Sequence, residues 1–274
     1  MTKEGVGERA NTRVPGSHAL TPTAFHTMRL LALHGFTGRG SDWDVLRDRI
    51  AGYPWIAPDL PGHGPSPALP ADLGAHLDFI NRSLDVCDGA SVLLGYSMGA
   101  RLALHAALDN PQCFRALALI GGSPGLDTET ARASRRTADA ALAQRIRNFP
   151  TTADFLAEWD AQPLLAGRAA MPEPWKSRSL EARRHNTLRG LAASLDGVGT
   201  GTLPSLWDRL AELDLPVLLL AGANDAKFAD IAHRMAARLP DARVALVPHA
   251  GHAAHLERPD STAAILAPWL DRMG

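Results

Sequence analysis

From residue 28 onward, short apolar runs alternate with amphipathic stretches. The runs lie at Arg29–Leu33, 53–57, 91–94, 116–120, 216–221 and 243–247. Their apolar positions are continuous rather than alternating, as in strands buried on both faces. The stretches at 42–51, 72–87, 98–108, 227–239 and Pro259–Leu270 have helical periodicity. Strand alternating with helix predicts an α/β fold, a mostly parallel sheet with helices on both faces.

The rhythm breaks between Asp127 and Leu210, where no strand pattern is found. Leu142, Ile146 and Phe149 share one face of a helix there, with Asp127 as its candidate N-cap. Pro150, Pro163, Pro172 and Pro174 mark breaks beyond that helix. This segment reads as a helical cap inserted over the strand ends. The expected organisation is a flexible tail at 1–27, a core from 28–126, the helical cap at 127–210, and the rest of the core at 211–274. The tail carries no apolar segment of signal-peptide type, and no run approaches the length of a membrane span, so a cytoplasmic protein is expected.

Composition narrows the partners. The chain of 274 residues has a net charge of −1, which gives no bulk attraction to nucleic acid or to an anionic membrane. Two cysteines, Cys87 and Cys113, are too few for a disulfide scaffold or a cysteine-rich zinc site. Of the 28 basic residues, 25 are Arg, and only Lys3, Lys176 and Lys227 are Lys. A GC-rich coding sequence accounts for most of that bias, but arginine is also the side chain best matched to carboxylates.

The chemistry begins at Gly95-Tyr96-Ser97-Met98-Gly99, a G-x-S-x-G motif between a strand-like run and an amphipathic helix. A sharp strand-to-helix turn pushes the serine Oγ out of the sheet, and small flanking residues allow the tight backbone approach. Such an elbow requires an acid and then a histidine downstream. Asp225, just past the run at 216–221, is the candidate acid, with Asp230 as its rival. His252 is the candidate base, with His249 and His255 as rivals. The spacing of these three histidines also raises a metal site, but without carboxylates or cysteines at ligand spacing no metal is expected. His34-Gly35-Phe36-Thr37-Gly38 follows the first strand, the place of an oxyanion-hole loop, with backbone N–H donors from Phe36 and Met98. Asp59-Leu60-Pro61-Gly62-His63-Gly64 reads as a structural turn in the pocket wall.

These pieces, in this order, resemble the α/β-hydrolase superfamily. Serine at position 97 disfavours its branches that use an aspartate nucleophile. Further blocks narrow the resemblance: Arg101 four residues after the serine, Gly121-Gly122-Ser123-Pro124-Gly125-Leu126, Arg132 to Asp139, Trp159-Asp160-Ala161-Gln162-Pro163, Arg183-Arg184-His185-Asn186, the stretch from Gly199 to Trp207, and Asp225-Ala226-Lys227-Phe228. Together they are similar to the family of 2-succinyl-6-hydroxy-2,4-cyclohexadiene-1-carboxylate synthases of menaquinone biosynthesis. Two departures are Ser123, where some members have His, and the absence of a leading hairpin before the central strand.

The resemblance implies a lyase that eliminates pyruvate from 2-succinyl-5-enolpyruvyl-6-hydroxy-3-cyclohexene-1-carboxylate, with no cofactor. It assigns Ser97 as the base that takes a ring proton, His252 as its activator and Asp225 as the residue that orients His252. It also implies substrate contacts from Arg101, Arg135, Arg183, Tyr96, Trp159 and His34, with Arg136 and Arg184 as adjacent alternatives. The partner implied is a small polycarboxylate, taken by a monomer or small homo-oligomer. The competing readings are a serine esterase or carbon–carbon bond hydrolase of the same fold, and a non-catalytic binding protein. Converging arginines favour the lyase over an esterase of neutral esters, and the complete triad disfavours a non-catalytic role.

Overall fold

The computed structural model describes residues 1–2, 28–66, 71–84, 87–88 and 90–274. The expected tail at 1–27 therefore lies almost entirely outside the described residues. Among the described residues six strands form one parallel sheet: β1 (Arg29–Leu33), β2 (Trp55–Ile56), β3 (Ser91–Tyr96), β4 (Phe114–Ile120), β5 (Val217–Gly222) and β6 (Ala242–Val247), in the order β2-β1-β3-β4-β5-β6. β3, β5 and most of β4 are buried, as their unbroken apolar runs require, whereas the edge strand β6 is only partly covered. The run at 53–57 yields a strand of two residues on the other edge, paired through Leu30↔Trp55 and Leu31↔Ile56.

Helices cover both faces. α1 (Asp44–Arg47), α9 (Ala254–Glu257) and α10 (Pro259–Leu270) lie with one apolar cluster that includes Leu30, Leu94 and Leu218. α2 (Leu73–Ser83), α3 (Met98–Asp109) and α8 (Ala226–Ala236) lie with the other, built on Leu31, Leu93 and Leu219. Adjacent residues of each central strand thus feed opposite layers. The helix expected at 42–51 divides into a 3₁₀ turn at Gly40–Trp43 and the single turn of α1.

Between β4 and β5 the chain runs through α4 (Glu129–Arg147), α5 (Thr152–Asp160), a 3₁₀ stretch at Pro163–Ala170, α6 (Trp175–Arg184) and α7 (Leu188–Val198). A separate apolar cluster of Ile146, Phe155, Leu191 and Leu195 holds this helical excursion together, with Leu142 and Phe149 packed against it. The N-cap of α4 is Thr128, whose side chain accepts from the Ala131 N–H, and not Asp127. Asp127 instead pairs with Arg234 of α8 at 2.8 Å. Cys87 and Cys113 are joined in a single disulfide that closes the segment carrying β3 and α3. No helix among the described residues is long and apolar enough to cross a membrane.

The strand order fixes where a site forms. β1 and β3 are neighbours, yet their outgoing connections lead to opposite ends of the sheet. At such a switch point the loops after the two strands diverge and leave a crevice at their carboxyl ends. Those loops begin at His34 and Ser97, and the pairing Leu33↔Gly95 puts them side by side.

Candidate active site

Ser97 links β3 to α3 with φ +51° and ψ −105°. A serine holds such a backbone only where its surroundings enforce it. The flanking glycines make this possible: a Cβ on Gly95 would stand 2.6 Å from the Ala100 Cα, and one on Gly99 would fall on the Leu33 carbonyl. The elbow motif thus reflects close backbone contact on both sides of the serine.

Ser97 Oγ lies 3.0 Å from His252 Nε2, and His252 Nδ1 lies 2.8 Å from Asp225 Oδ2. An ionised carboxylate can only accept, so the proton in the second contact belongs on Nδ1, and Nε2 is left to accept from the serine hydroxyl. Asp225 is fixed by a second duty: its Oδ1 accepts the Phe228 N–H at 3.3 Å as the N-cap of α8. His252 is buried, with the Phe228 ring 4.3 Å and the Tyr96 ring 5.4 Å from its own. Gly121, at φ +56°, backs onto the imidazole, where a Cβ would stand 2.9 Å from its Cε1.

The rival residues sit elsewhere. Asp230 is exposed on α8, 3.9 Å from Arg234. His249 is exposed. His255 is buried between the rings of Trp43 and Tyr96, at 4.8 and 4.6 Å, with neither ring nitrogen hydrogen-bonded to a described residue. Burial, aided by the nearby Arg168 charge and His252, pushes His255 down to about 3.

Several positioning residues were not legible in the sequence. Glu257, buried, accepts the N–H of Gly251 at 2.5 Å and of Ala253 at 3.0 Å, clamping the backbone on both sides of His252. Thr37, buried in the loop after β1, has φ +65°. Its N–H donates to His63 Nε2 at 3.3 Å, and its carbonyl accepts from Asn186 Nδ2 at 2.9 Å. His34, expected at the substrate, spends both ring nitrogens on backbone. Nδ1 donates to the Gly35 carbonyl at 2.9 Å, and Nε2 accepts the Leu60 N–H at 3.0 Å. Burial holds His34 and His63 below the ordinary histidine range. The turn from Asp59 to Gly64 is therefore the brace of the loop after β1.

That loop lies against the start of α3, because Gly99 abuts the carbonyls of Leu33 and His34. The Met98 N–H is the first of α3 and has no intrahelical acceptor. The Phe36 side chain packs edge-on against Trp159 at 5.0 Å and His63 at 5.9 Å. Trp159 thus joins the helical excursion to this loop. Tyr96 is buried, and that burial raises its phenol.

The expected arginines have different fates. Arg101, one turn into α3 from Ser97, has a buried Nε with no hydrogen-bond partner among the described residues, and its Nη2 only grazes the Val198 carbonyl at 3.5 Å. Burial, with Arg135 nearby, lowers its guanidinium to about 10, which is still charged at neutral pH. Arg135 binds the buried Asp139 at 2.7 Å, while its neighbour Arg136 turns to Glu129 and the Gly201 carbonyl. Arg183 faces inward and Arg184 outward. Arg183, expected at the substrate, is committed to protein groups: both Nη atoms bind Asp160 at 2.8 Å, Nη2 also reaches Thr37 Oγ1 at 2.9 Å, and Nε reaches the Thr37 carbonyl at 3.3 Å.

A profile of the alpha/beta hydrolase family matches residues 30–265. The chain belongs to that family. Among its relatives is the 2-succinyl-6-hydroxy-2,4-cyclohexadiene-1-carboxylate synthase of Serratia proteamaculans, 34% identical over 250 residues, covering 89% of this chain and 94% of the relative. The protein of that name from Salmonella typhimurium is 35% identical over 247 residues, covering 88% and 94%. A solved structure of MenH from S. aureus superposes with a TM-score of 0.84 at 30% identity, over 90% of this chain and 94% of that one. This α/β-hydrolase chain is a member of the same family as these synthases. An esterase from Exiguobacterium antarcticum (TM-score 0.71, 19% identical, covering 89% and 92%) shares the fold alone.

Proposed function

We propose that this protein is a lyase that eliminates pyruvate from 2-succinyl-5-enolpyruvyl-6-hydroxy-3-cyclohexene-1-carboxylate, giving 2-succinyl-6-hydroxy-2,4-cyclohexadiene-1-carboxylate for menaquinone biosynthesis. Relatives named for that product support the reaction class. The observation that carries the reading to this chain's own residues is Arg101: a charged, half-buried guanidinium one helical turn from Ser97, whose buried Nε has no partner among the described residues. An unpaired buried charge is costly unless a ligand of opposite charge completes it. A tricarboxylate does that, whereas a neutral ester does not.

In this mechanism Ser97 Oγ takes the ring proton while His252 Nε2 accepts the serine's own. Asp225 holds His252 in the tautomer that can accept and stabilises the imidazolium that forms. The C–H electron pair becomes a ring double bond, and the C–O bond breaks toward the enolpyruvyl oxygen. The departing enolate takes back the proton from His252 and becomes pyruvate, so no water is consumed. The N–H groups of Phe36 and Met98 receive the charge that develops on the succinyl carbonyl. Arg101, together with Arg135, takes a carboxylate, and Tyr96 and Trp159 wall the pocket. His34 and Arg183 act through the loop they hold. A purified sample tests the reading: one pyruvate is released per enolpyruvyl substrate, measured by coupled lactate dehydrogenase.

A further inference from the structure

A cavity of about 220 Å³ opens between the 3₁₀ stretch Pro163–Ala170 and α6. Its charged lining is Arg168, Lys176, Arg183 and Asp160, with Leu165 and Met171 among its apolar walls. The single carboxylate is already taken, since both Asp160 oxygens accept from Arg183. Lys176 donates to the Ala169 carbonyl at 3.0 Å. Arg168, half-buried, makes no ion pair and no side-chain hydrogen bond with any described residue. The cavity is therefore cationic, with one unspent guanidinium fork.

The backbone just before Arg168 packs against the residue that holds the loop of the base. Gly167 presses its backbone against the Glu257 carboxylate, so closely that a Cβ there would collide with it. That same carboxylate binds the N–H groups of Gly251 and Ala253, on either side of His252. One carboxylate thus holds the loop of the base and packs against the residue preceding Arg168. The charge of Arg168 reaches Tyr96, whose ring lies beside His252, and His255, whose ring packs on Tyr96, and favours the deprotonated form of both. On the far wall, Ser179 donates to Asp42 at 2.6 Å and Arg183 holds Thr37, which ties the cavity to the loop after β1.

We propose that Arg168 is a specificity-determining residue that receives one carboxylate of the substrate, the role Arg183 cannot fill while its fork is bound to Asp160 and Thr37. The inference rests on the proposed function for the identity of the substrate, but the anion site stands on the cavity itself. A volume of this size takes one carboxylate-bearing arm and not a whole ring substrate. Leu165 and Met171 are suited to the methylenes of such an arm, and the guanidinium to its end.

The test is steady-state pyruvate release by Arg168→Met and Arg168→Lys, with thermal melting to establish folding and Arg168→Gln as a second neutral variant. Loss of a charge-assisted contact made equally in ground and transition states raises KM about tenfold or more and leaves kcat within about threefold. The lysine variant, which keeps charge but not the fork, falls between the neutral variants and wild type. A KM within about twofold of wild type in both neutral variants overturns the assignment. If the wild-type protein releases no pyruvate, the reaction reading fails, and calorimetric titration with succinate decides the site alone. Succinate binding weakened about tenfold by Arg168→Met supports the site. Equal affinity in the two proteins, or no succinate binding by wild type, overturns it.

Discussion

Arg183 of α6 grips Thr37 through both its hydroxyl, 2.9 Å from Nη2, and its carbonyl, 3.3 Å from Nε, while Thr37 itself sits at φ +65°. A threonine in that region is strained and stays there only because its neighbours over-determine it. Arg183 is therefore a positioning residue for the loop that carries Phe36. Replacing it with methionine leaves Asp160 without its partner and frees Thr37 to relax. The expected outcome for Arg183→Met is a fall in kcat of about tenfold or more, KM within about threefold, and a loss of about 3 kcal/mol of stability. Urea denaturation and steady-state kinetics check both. A direct substrate contact would instead appear mainly in KM.

Gly121→Ala tests the packing behind the base. The site requires φ +56° and leaves 2.9 Å to His252 Cε1, so a methyl group strains the backbone and displaces the imidazole from Ser97. The backbone strain alone costs about 1 kcal/mol. The variant should melt lower and lose about tenfold or more in kcat. Wild-type kinetics in Gly121→Ala would show that this glycine does not position the base.

Much of the site was legible because its signals are local. The elbow glycines, Ser97, Asp225 and His252 each follow directly from an apolar run, and burial fixes the ends of those runs. Glu257, Asp160 and His63 were not legible, because their roles come from contacts between segments remote in sequence. A carboxylate five residues after His252 reads as an ordinary helix-end glutamate until the fold brings the N–H groups of Gly251 and Ala253 onto it. The same limit applies to arginine. The family resemblance implies substrate contacts from both Arg101 and Arg183, and only the packing of α5 and α6 shows that Arg183 is already paired. The shift of the α4 cap from Asp127 to Thr128 is a one-residue ambiguity between two residues able to cap.

Arg101→Met separates stability from function. Its guanidinium is half-buried, its Nε is buried with no partner among the described residues, and it feels the like charge of Arg135, so removing it relieves a desolvation cost in the empty enzyme. The melting temperature should rise by about 2 °C or stay level. KM for the tricarboxylate should rise about tenfold or more. A marked loss of stability together with an unchanged KM would identify Arg101 as a structural cation.

Acid should weaken the fold through its neutral histidines. His255 is held at about 3 and its unfolded value is near 6.5, so between these pH values the unfolded chain binds the extra proton. Stability is then intact above pH 6.5 or so and declines as pH falls below it. His34 and His63, lowered by the same cause, act in the same direction. His255→Phe suits the slot between Trp43 and Tyr96 and removes one of these titrations. Its melting temperature should fall less than that of wild type between about pH 7.5 and pH 5. An equal fall in both proteins would show that His255 does not contribute.

The most direct measurement is pyruvate released from 2-succinyl-5-enolpyruvyl-6-hydroxy-3-cyclohexene-1-carboxylate by the wild-type protein and by Ser97→Ala. The wild type is expected to release one equivalent, and the variant, which retains the pocket but not the base, to be slower by about a thousandfold or more. No release by the wild type, or release by Ser97→Ala at the wild-type rate, would contradict the proposed reaction.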